Sequence, residues 1–173
     1  MKKRIILMTI FSMLFLSSCE GPQGPPGLDG QDGFLSEVFE LRNINFGFNA
    51  TDGYTIYRTL NPQIASSDVL LIYRLSGTIN SSTPIWQQIP RTLFLLEGEL
   101  DYDFDFSKQD FTIFAGGTYN LALTPSYING QTFRIVIVPG ILTNKSANKP
   151  DFSNYYAVIK AYNIDDSNVK VLN

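Results

Sequence analysis

The chain of 173 residues contains a single cysteine, Cys19. One thiol can form no intramolecular disulfide, so any folded part must be held together by packing. Cys19 lies three positions after the end of an apolar run, residues 5–16, and this run follows three basic residues. Because a bilayer span needs roughly 20 apolar residues, this run is too short to cross a membrane and is typical of a signal peptide.

Leu16, Ser17, Ser18 and Cys19 place an aliphatic residue and two small residues directly before the thiol. This order resembles the bacterial lipobox, in which the cysteine takes up a diacylglycerol. We therefore expect a signal peptide over residues 1–18 and a lipid anchor at Cys19; the alternative is a soluble secreted protein with a chance cysteine. Each buried methylene contributes about 0.8 kcal/mol, so two or three acyl chains hold firmly. An aspartate directly after the cysteine would favour retention in the inner membrane. Glu20 stands there instead, so we expect the outer membrane, on its periplasmic or surface face.

A short tract of Gly-X-Y triplets follows the anchor. Glycine recurs at every third position, at Gly21, Gly24, Gly27, Gly30 and Gly33. This spacing is the collagen signature, because only glycine fits at the triple-helix axis. Four triplets are too few for a free triple helix, so residues 19–33 are predicted to be a semi-rigid spacer of roughly 40 Å. The alternative is a homotrimer nucleated by the domain that follows.

The anchor, the Gly-X-Y tract and the β-rich remainder together resemble the small collagen-like-repeat lipoproteins of Gram-negative bacteria. The motifs that carry the resemblance lie in the first 33 residues. It implies a location in the cell envelope and assigns no activity to particular residues.

The net charge excludes one class of partner. The whole chain carries 13 basic and 16 acidic residues, and removal of residues 1–18 takes three bases and no acid, so the net charge falls from −3 to −6. Nucleic-acid binding needs a basic surface, so we expect no nucleic-acid partner.

Residues 34–173 read as strands separated by turns and are long enough for one domain with its own core. Residues 100–106 alternate between apolar and acidic, which predicts a half-buried strand. Residues 69–75 and 133–138 are nearly continuously apolar and predict central strands covered on both sides. We expect a mainly β domain, an antiparallel β sandwich of about seven to nine strands, with one short C-terminal helix near residues 152–162 that closes one end.

Local signals add detail to this prediction. Gly53 suggests a hairpin between strands near residues 37–48 and 54–60, and Asn129-Gly130 predicts a type I′ turn. Asp151 or Ser153 is predicted to cap the helix. Residues 144–150 are predicted to form an exposed loop.

The absence of histidine argues against catalysis. It removes the commonest general base and the usual zinc ligand, and acylation would remove the thiol. We expect a non-enzymatic protein with no catalytic residues and no cofactor. A carboxylate-dependent hydrolase is the remaining enzymatic alternative, but Glu97 and Glu99 flank a turn glycine and would form a catalytic pair only by chance. Asp165 and Asp166 are interpreted as solvated charges of a loop or as charges at the end of the helix.

Asp101, Asp103 and Asp105 share one face of a predicted strand, about 6.6 Å apart. The first interpretation is a solvated face that discourages edge pairing. One aspartate could instead pair with Arg74 or Arg134, which lie inside apolar runs and need a partner. The three are also weak candidates for calcium, which wants six to eight oxygen ligands; no metal site is predicted.

Trp86 is the one candidate for glycan contact. A flat, exposed row of Trp86 and tyrosines would form a carbohydrate-binding surface, whereas aromatic residues in strands usually serve packing. The sequence therefore predicts a non-enzymatic envelope lipoprotein with structural or protein-interaction roles. A carbohydrate-binding module is the alternative, and the partner is an envelope protein or a glycan.

Overall fold

The computed structural model describes residues 36–80, 82–140 and 149–172. The predicted signal peptide, the lipobox with Cys19, the Gly-X-Y tract and most of the predicted loop at 144–150 lie outside these residues. Phe34–Asn173 forms one compact unit. Within the described part of the chain, no helix is long and apolar enough to cross a membrane.

Ten strands form two five-stranded sheets, which confirms a mainly β fold. The first sheet has the order β10-β1-β9-β4-β5 and the second the order β2-β3-β8-β7-β6. In chain order the strands are β1 (Glu37–Ile44), β2 (Gly47–Asn49), β3 (Gly53–Thr59), β4 (Val69–Asn80), β5 (Thr83–Ile89), β6 (Arg91–Phe94), β7 (Glu99–Phe106), β8 (Asp110–Gly117), β9 (Gln131–Val138) and β10 (Lys170–Leu172). The strand number exceeds the seven to nine expected, because the short strands β2, β6 and β10 are difficult to recognise as patterns.

The two sheets share one hydrophobic core. Phe39 of β1 and Phe133 of β9 enter it from the first sheet, and Tyr102 of β7 and Phe111 of β8 enter it from the second. The rings of Phe39 and Phe111 meet across the two sheets with centroids 6.2 Å apart. This is the packing of a β sandwich, in which alternate residues of each strand face inward.

The helix α1 (Tyr155–Ala161) packs on the outer face of the first sheet rather than closing an end of the sandwich. Tyr155 and Val158 are buried against Leu71, Tyr73 and Val136. The strands β4 and β9 are therefore covered on both faces, by the core on one side and by α1 on the other, as their continuous apolar runs predicted.

The cap of α1 also differs from the prediction. Asn154, and neither Asp151 nor Ser153, is the N-cap, and its side chain accepts a hydrogen bond from the Ala157 amide. Asp151 instead accepts hydrogen bonds from the backbone and hydroxyl of Ser153, which form a turn before the helix.

One predicted pairing, one predicted turn and the purely antiparallel arrangement need correction. β1 pairs with β9 and β10, so the hairpin around Gly53 joins β3 to the short strand β2 alone. Gly130 has a positive φ of 62°, whereas Asn129 is not among the residues with positive φ, so the turn is not type I′. It follows a 3-10 turn (Pro125–Tyr127) and leads into β9. β10 runs parallel to β1, the exception to the otherwise antiparallel pairing.

Candidate functional site

The two arginines inside apolar strand runs find partners other than Asp101, Asp103 and Asp105. Arg74 is buried in the sandwich, where its Nε donates a 2.8 Å hydrogen bond to Gln131 and its guanidinium lies 4.7 Å from the centre of the Tyr102 ring. Arg134 faces the other side of the first sheet and pairs with Glu40 and Asp166.

Arg134 is the centre of a polar cluster between the sheet and α1. Its Nε lies 3.1 Å from Glu40 Oε2, and its Nη1 lies 2.6 Å from Tyr155 Oη and 3.2 Å from Asp166 Oδ2. Its guanidinium carbon lies 4.5 Å from the centre of the Trp86 ring. Glu40, Trp86, Tyr155 and Asp166, from four separate segments, therefore hold one guanidinium in a fixed position.

Glu40 is the buried carboxylate of the cluster. Its side chain is 5% exposed and each oxygen has an arginine partner, Oε1 with Arg42 Nε at 2.7 Å and Oε2 with Arg134. A carboxylate with so little water contact needs such pairing, because its desolvation would otherwise cost several kcal/mol.

The charge states of the cluster follow from these contacts. Burial by itself would lower the pKa of Arg134, but the Tyr155 hydroxyl and Glu40 outweigh burial and raise the pKa above its ordinary value. Burial raises the pKa of Tyr155 above the value of a free tyrosine, although Arg134 acts in the opposite direction. Arg134 is therefore charged and Tyr155 neutral at physiological pH.

Beyond α1, the same sheet face forms a groove of about 310 Å³, which we call the Arg134 groove. Its polar lining comes from β1, β4 and β9 and from the turn between β4 and β5, and consists of Glu40, Arg42, Thr78, Ser82, Thr132 and Arg134. Leu75, Pro84 and Trp86 supply its apolar lining. Charge, hydroxyl groups and an indole ring thus converge on one small concave surface.

Trp86, the candidate from the sequence, lies on β5 in this groove and is half-buried. The neighbouring Tyr155 ring is buried, and its centre lies 5.7 Å from that of Trp86 with 44° between the planes. Tyr156 is exposed, but its ring is inclined at 76° to Tyr155. These rings do not form a coplanar row, so glycan contact at Trp86 would use one indole with the polar groups around it.

Asp101, Asp103 and Asp105 lie on β7 in the second sheet and point away from the core, which places them far from the Trp86 side of the sandwich. Within residues 36–80, 82–140 and 149–172, no three acidic, histidine or cysteine side chains come together in a way that could hold a metal ion. Glu97 and Glu99 flank Gly98 in the exposed hairpin between β6 and β7.

A larger cavity of about 640 Å³ lies where β1, β10 and the segment after β3 meet. Phe39, Leu60, Pro62, Ile137 and Leu172 give it apolar walls. Glu37, Asp165 and Lys170 also line it, and the buried hydroxyl of Ser36 has no hydrogen-bond partner among the described residues. We place the candidate site at the Arg134 groove, because its charged groups are held by partners, whereas Glu37, Asp165 and Lys170 are exposed and form no ion pair within the described ranges.

Sequence reasoning missed Glu40, Arg42 and Asp166 as site residues. Asp166 was interpreted as a solvated charge, yet it accepts hydrogen bonds from Tyr155 and Arg134. The sequence did contain one usable signal, which was the need of a buried charge for an opposite charge. Arg134 is a single arginine inside the apolar run of β9 and requires a carboxylate, and Glu40 is the acid between apolar residues of β1.

Comparison with known proteins finds no match of this chain to any family model, curated protein or solved structure.

Proposed function

We propose that this chain is a non-enzymatic lipoprotein of the cell envelope, which presents its two-sheet domain on a collagen-like spacer and acts by binding. The observation that carries the proposal is the position of the lone Cys19, at the end of a short apolar run and directly before the Gly-X-Y tract. The compact unit Phe34–Asn173 follows immediately, as a displayed domain would.

The groove geometry supports binding over catalysis. A general acid or base must exchange a proton with its substrate, so one of its oxygens must be available. Both oxygens of Glu40, the one carboxylate that lines the groove among the described residues, are bonded to arginines. Groups fixed in this way suit the recognition of a ligand.

The anchor is tested by growing cells with an alkyne-tagged fatty acid and isolating their membranes. The wild-type chain should carry the tag and sediment with the outer membrane, and Cys19→Ser should lose the tag and leave the membrane. Ser18→Ala is the matched control, because it keeps a small residue before Cys19 and should be labelled normally. An untagged wild-type chain with an intact N-terminus would refute the proposal. Protease treatment of intact cells then shows whether the domain faces outward.

The spacer is tested by light scattering on the purified chain. We propose a monomer, in which the tract from Gly21 to Gly33 serves only as a tether. A mass of three chains that falls to one chain in Gly27→Ala, and stays unchanged in Gln23→Ala, would instead make the tract an assembly element.

Glycan binding is a second candidate function, and one observation favours it. Trp86 is half-buried: it packs against the hydrophobic cluster under α1 and also lines a concave groove beside guanidinium and hydroxyl groups. Binding sites for small ligands combine an apolar surface with a few placed polar groups in this way.

A further inference from the structure

The lining of the Arg134 groove presents more guanidinium groups than carboxylates, although the whole chain is acidic. Its lining contains two guanidinium groups and one carboxylate, from Arg42, Arg134 and Glu40. Asp166 contacts Arg134 but does not line the groove. Charges are screened only beyond about 8 Å at physiological salt, so Asp166 balances the second guanidinium and the cluster as a whole is neutral. A ligand would therefore be recognised by individual guanidinium N–H groups rather than by a positive field.

Donor groups remain free in this groove. Glu40 accepts a hydrogen bond from the Nε of Arg42 and another from the Nε of Arg134. Within residues 36–80, 82–140 and 149–172, no hydrogen bond reaches Arg42 Nη1, Arg42 Nη2 or Arg134 Nη2. The Arg42 side chain is 61% exposed and that of Arg134 is 15% exposed, so the first can move onto a ligand while the second is fixed. Guanidinium groups bind carboxylates through two parallel hydrogen bonds.

The rest of the lining suits a polyhydroxylated ring. The hydroxyl of Thr132 accepts a hydrogen bond from the Asn43 amide and keeps its own proton to donate. Thr78 adds a further hydroxyl, the Ser82 hydroxyl donates its proton to Asn80 and can only accept, and Trp86 adds an indole. The Arg134 guanidinium lies over this indole, so a sugar ring has the rest of its exposed apolar surface to contact. The volume of about 310 Å³ is at the lower end of small-ligand sites, so the ligand is small.

We propose that the Arg134 groove binds a carboxylate-bearing saccharide, with its carboxylate on Arg42 and Arg134 and its sugar ring against Trp86. The inference rests on glycan binding at this groove and is independent of the lipid anchor. An acidic peptide is the competing ligand, but the short groove and its indole favour a single ring over an extended chain.

The test uses the fluorescence of Trp86, the only tryptophan in the chain, in the protein purified as cells produce it. The ligands are an oligogalacturonate and its fully methyl-esterified form, which removes the charge and keeps the rings. We expect the acid to change the fluorescence saturably and to bind at least about tenfold more tightly than the ester, because hydrogen bonds to charged groups contribute about 1.5–3 kcal/mol.

Variants assign the effect to the groove. Arg42→Gln should weaken oligogalacturonate binding about tenfold, Arg42→Lys should weaken it less, and Arg91→Gln, an exposed arginine of the second sheet, should leave it unchanged. Thermal melting checks that each variant is folded. If Arg42→Gln fails to fold, the ratio between acid and ester in the wild-type protein still decides the question.

Three outcomes would overturn the inference. Equal binding of acid and ester would leave glycan binding in place and remove the carboxylate requirement. Binding of oligoglutamate as tight as that of oligogalacturonate would show that the ligand is an acidic peptide. No fluorescence change with any of these ligands would remove both this inference and the glycan-binding function.

Discussion

Arg134 Nη1 donates a 2.6 Å hydrogen bond to Tyr155 Oη, and this contact joins β9 to the first residue of α1. Tyr155 Oη in turn donates a 2.9 Å hydrogen bond to Asp166. One hydroxyl therefore connects the sheet, the helix and the segment that leads to β10.

Tyr155→Phe should destabilise the domain by about 1–3 kcal/mol, because it removes two hydrogen bonds to charged groups in a buried position. Tyr156→Phe is the matched control. Tyr156 is the next residue and is 52% exposed, and its hydroxyl makes only a 3.2 Å hydrogen bond to the Pro84 carbonyl. It should change stability by less than about 0.5 kcal/mol. Urea unfolding followed by circular dichroism measures both, and equal stabilities would contradict the role given to Tyr155.

Two adjacent glycines at the end of β8 should respond differently to alanine. A Cβ at Gly117 would lie 2.5 Å from the Glu99 carbonyl oxygen and 3.0 Å from Leu121 Cδ2, whereas a Cβ at Gly116 would meet nothing within 4 Å. Gly117→Ala must displace backbone and should cost about 1–3 kcal/mol. Gly116→Ala should be neutral or slightly stabilising, since it restricts the unfolded chain. Thermal melting compares them, and an equal loss in both variants would show that β8 tolerates no side chain there.

The domain should unfold at alkaline pH. Tyr102 is 1% exposed, and burial raises its pKa to about 12, although Arg74 lowers it in part. A tyrosine in the unfolded chain titrates near pH 10. The folded state thus holds this proton more tightly, so its stabilising contribution is complete below about pH 10 and is lost as the pH rises through about 12. Burial raises the pKa of Tyr73 and Tyr155 in the same direction.

We therefore expect the tyrosinate absorbance to increase, and the circular dichroism signal of the fold to disappear, over the same range between about pH 10 and 12. Tyr102→Phe should make the loss of stability with pH less steep over that range. Titration of all nine tyrosines near pH 10 with the fold intact would show that Tyr73, Tyr102 and Tyr155 are accessible to solvent.

Most of the fold could be predicted from the patterns of the strands. The alternation of residues 100–106 predicted β7 with its three aspartates turned away from the core, and the apolar runs predicted β4 and β9 as covered strands. Placement of α1 could not be predicted, because an amphipathic helix of seven residues fits an outer sheet face as well as the end of a sandwich. The same holds for β1, whose partners are determined by the core and not by the nearest turn.

The candidate site was only partly predictable. Trp86 stood out as the single tryptophan, and Arg134 as a charge that needed a partner. Its partner Glu40 is 94 residues away in the chain, and only the register of β1 with β9 brings the two together. Local patterns carry no information about such register, so the site as a whole emerged only from the tertiary structure.

The pairing of β1 has a consequence for the order in which the domain is made. About 90 residues separate the end of β1 from the start of β9, and β10 comes later still. A ribosome adds roughly 5–20 residues per second, so the first strand waits for several seconds before either neighbour exists. During that interval β1 lacks both neighbours, and Phe39 and Leu41 on its inner face are open to other chains. A chain with this strand order would gain from a holdase chaperone until β9 and β10 have emerged.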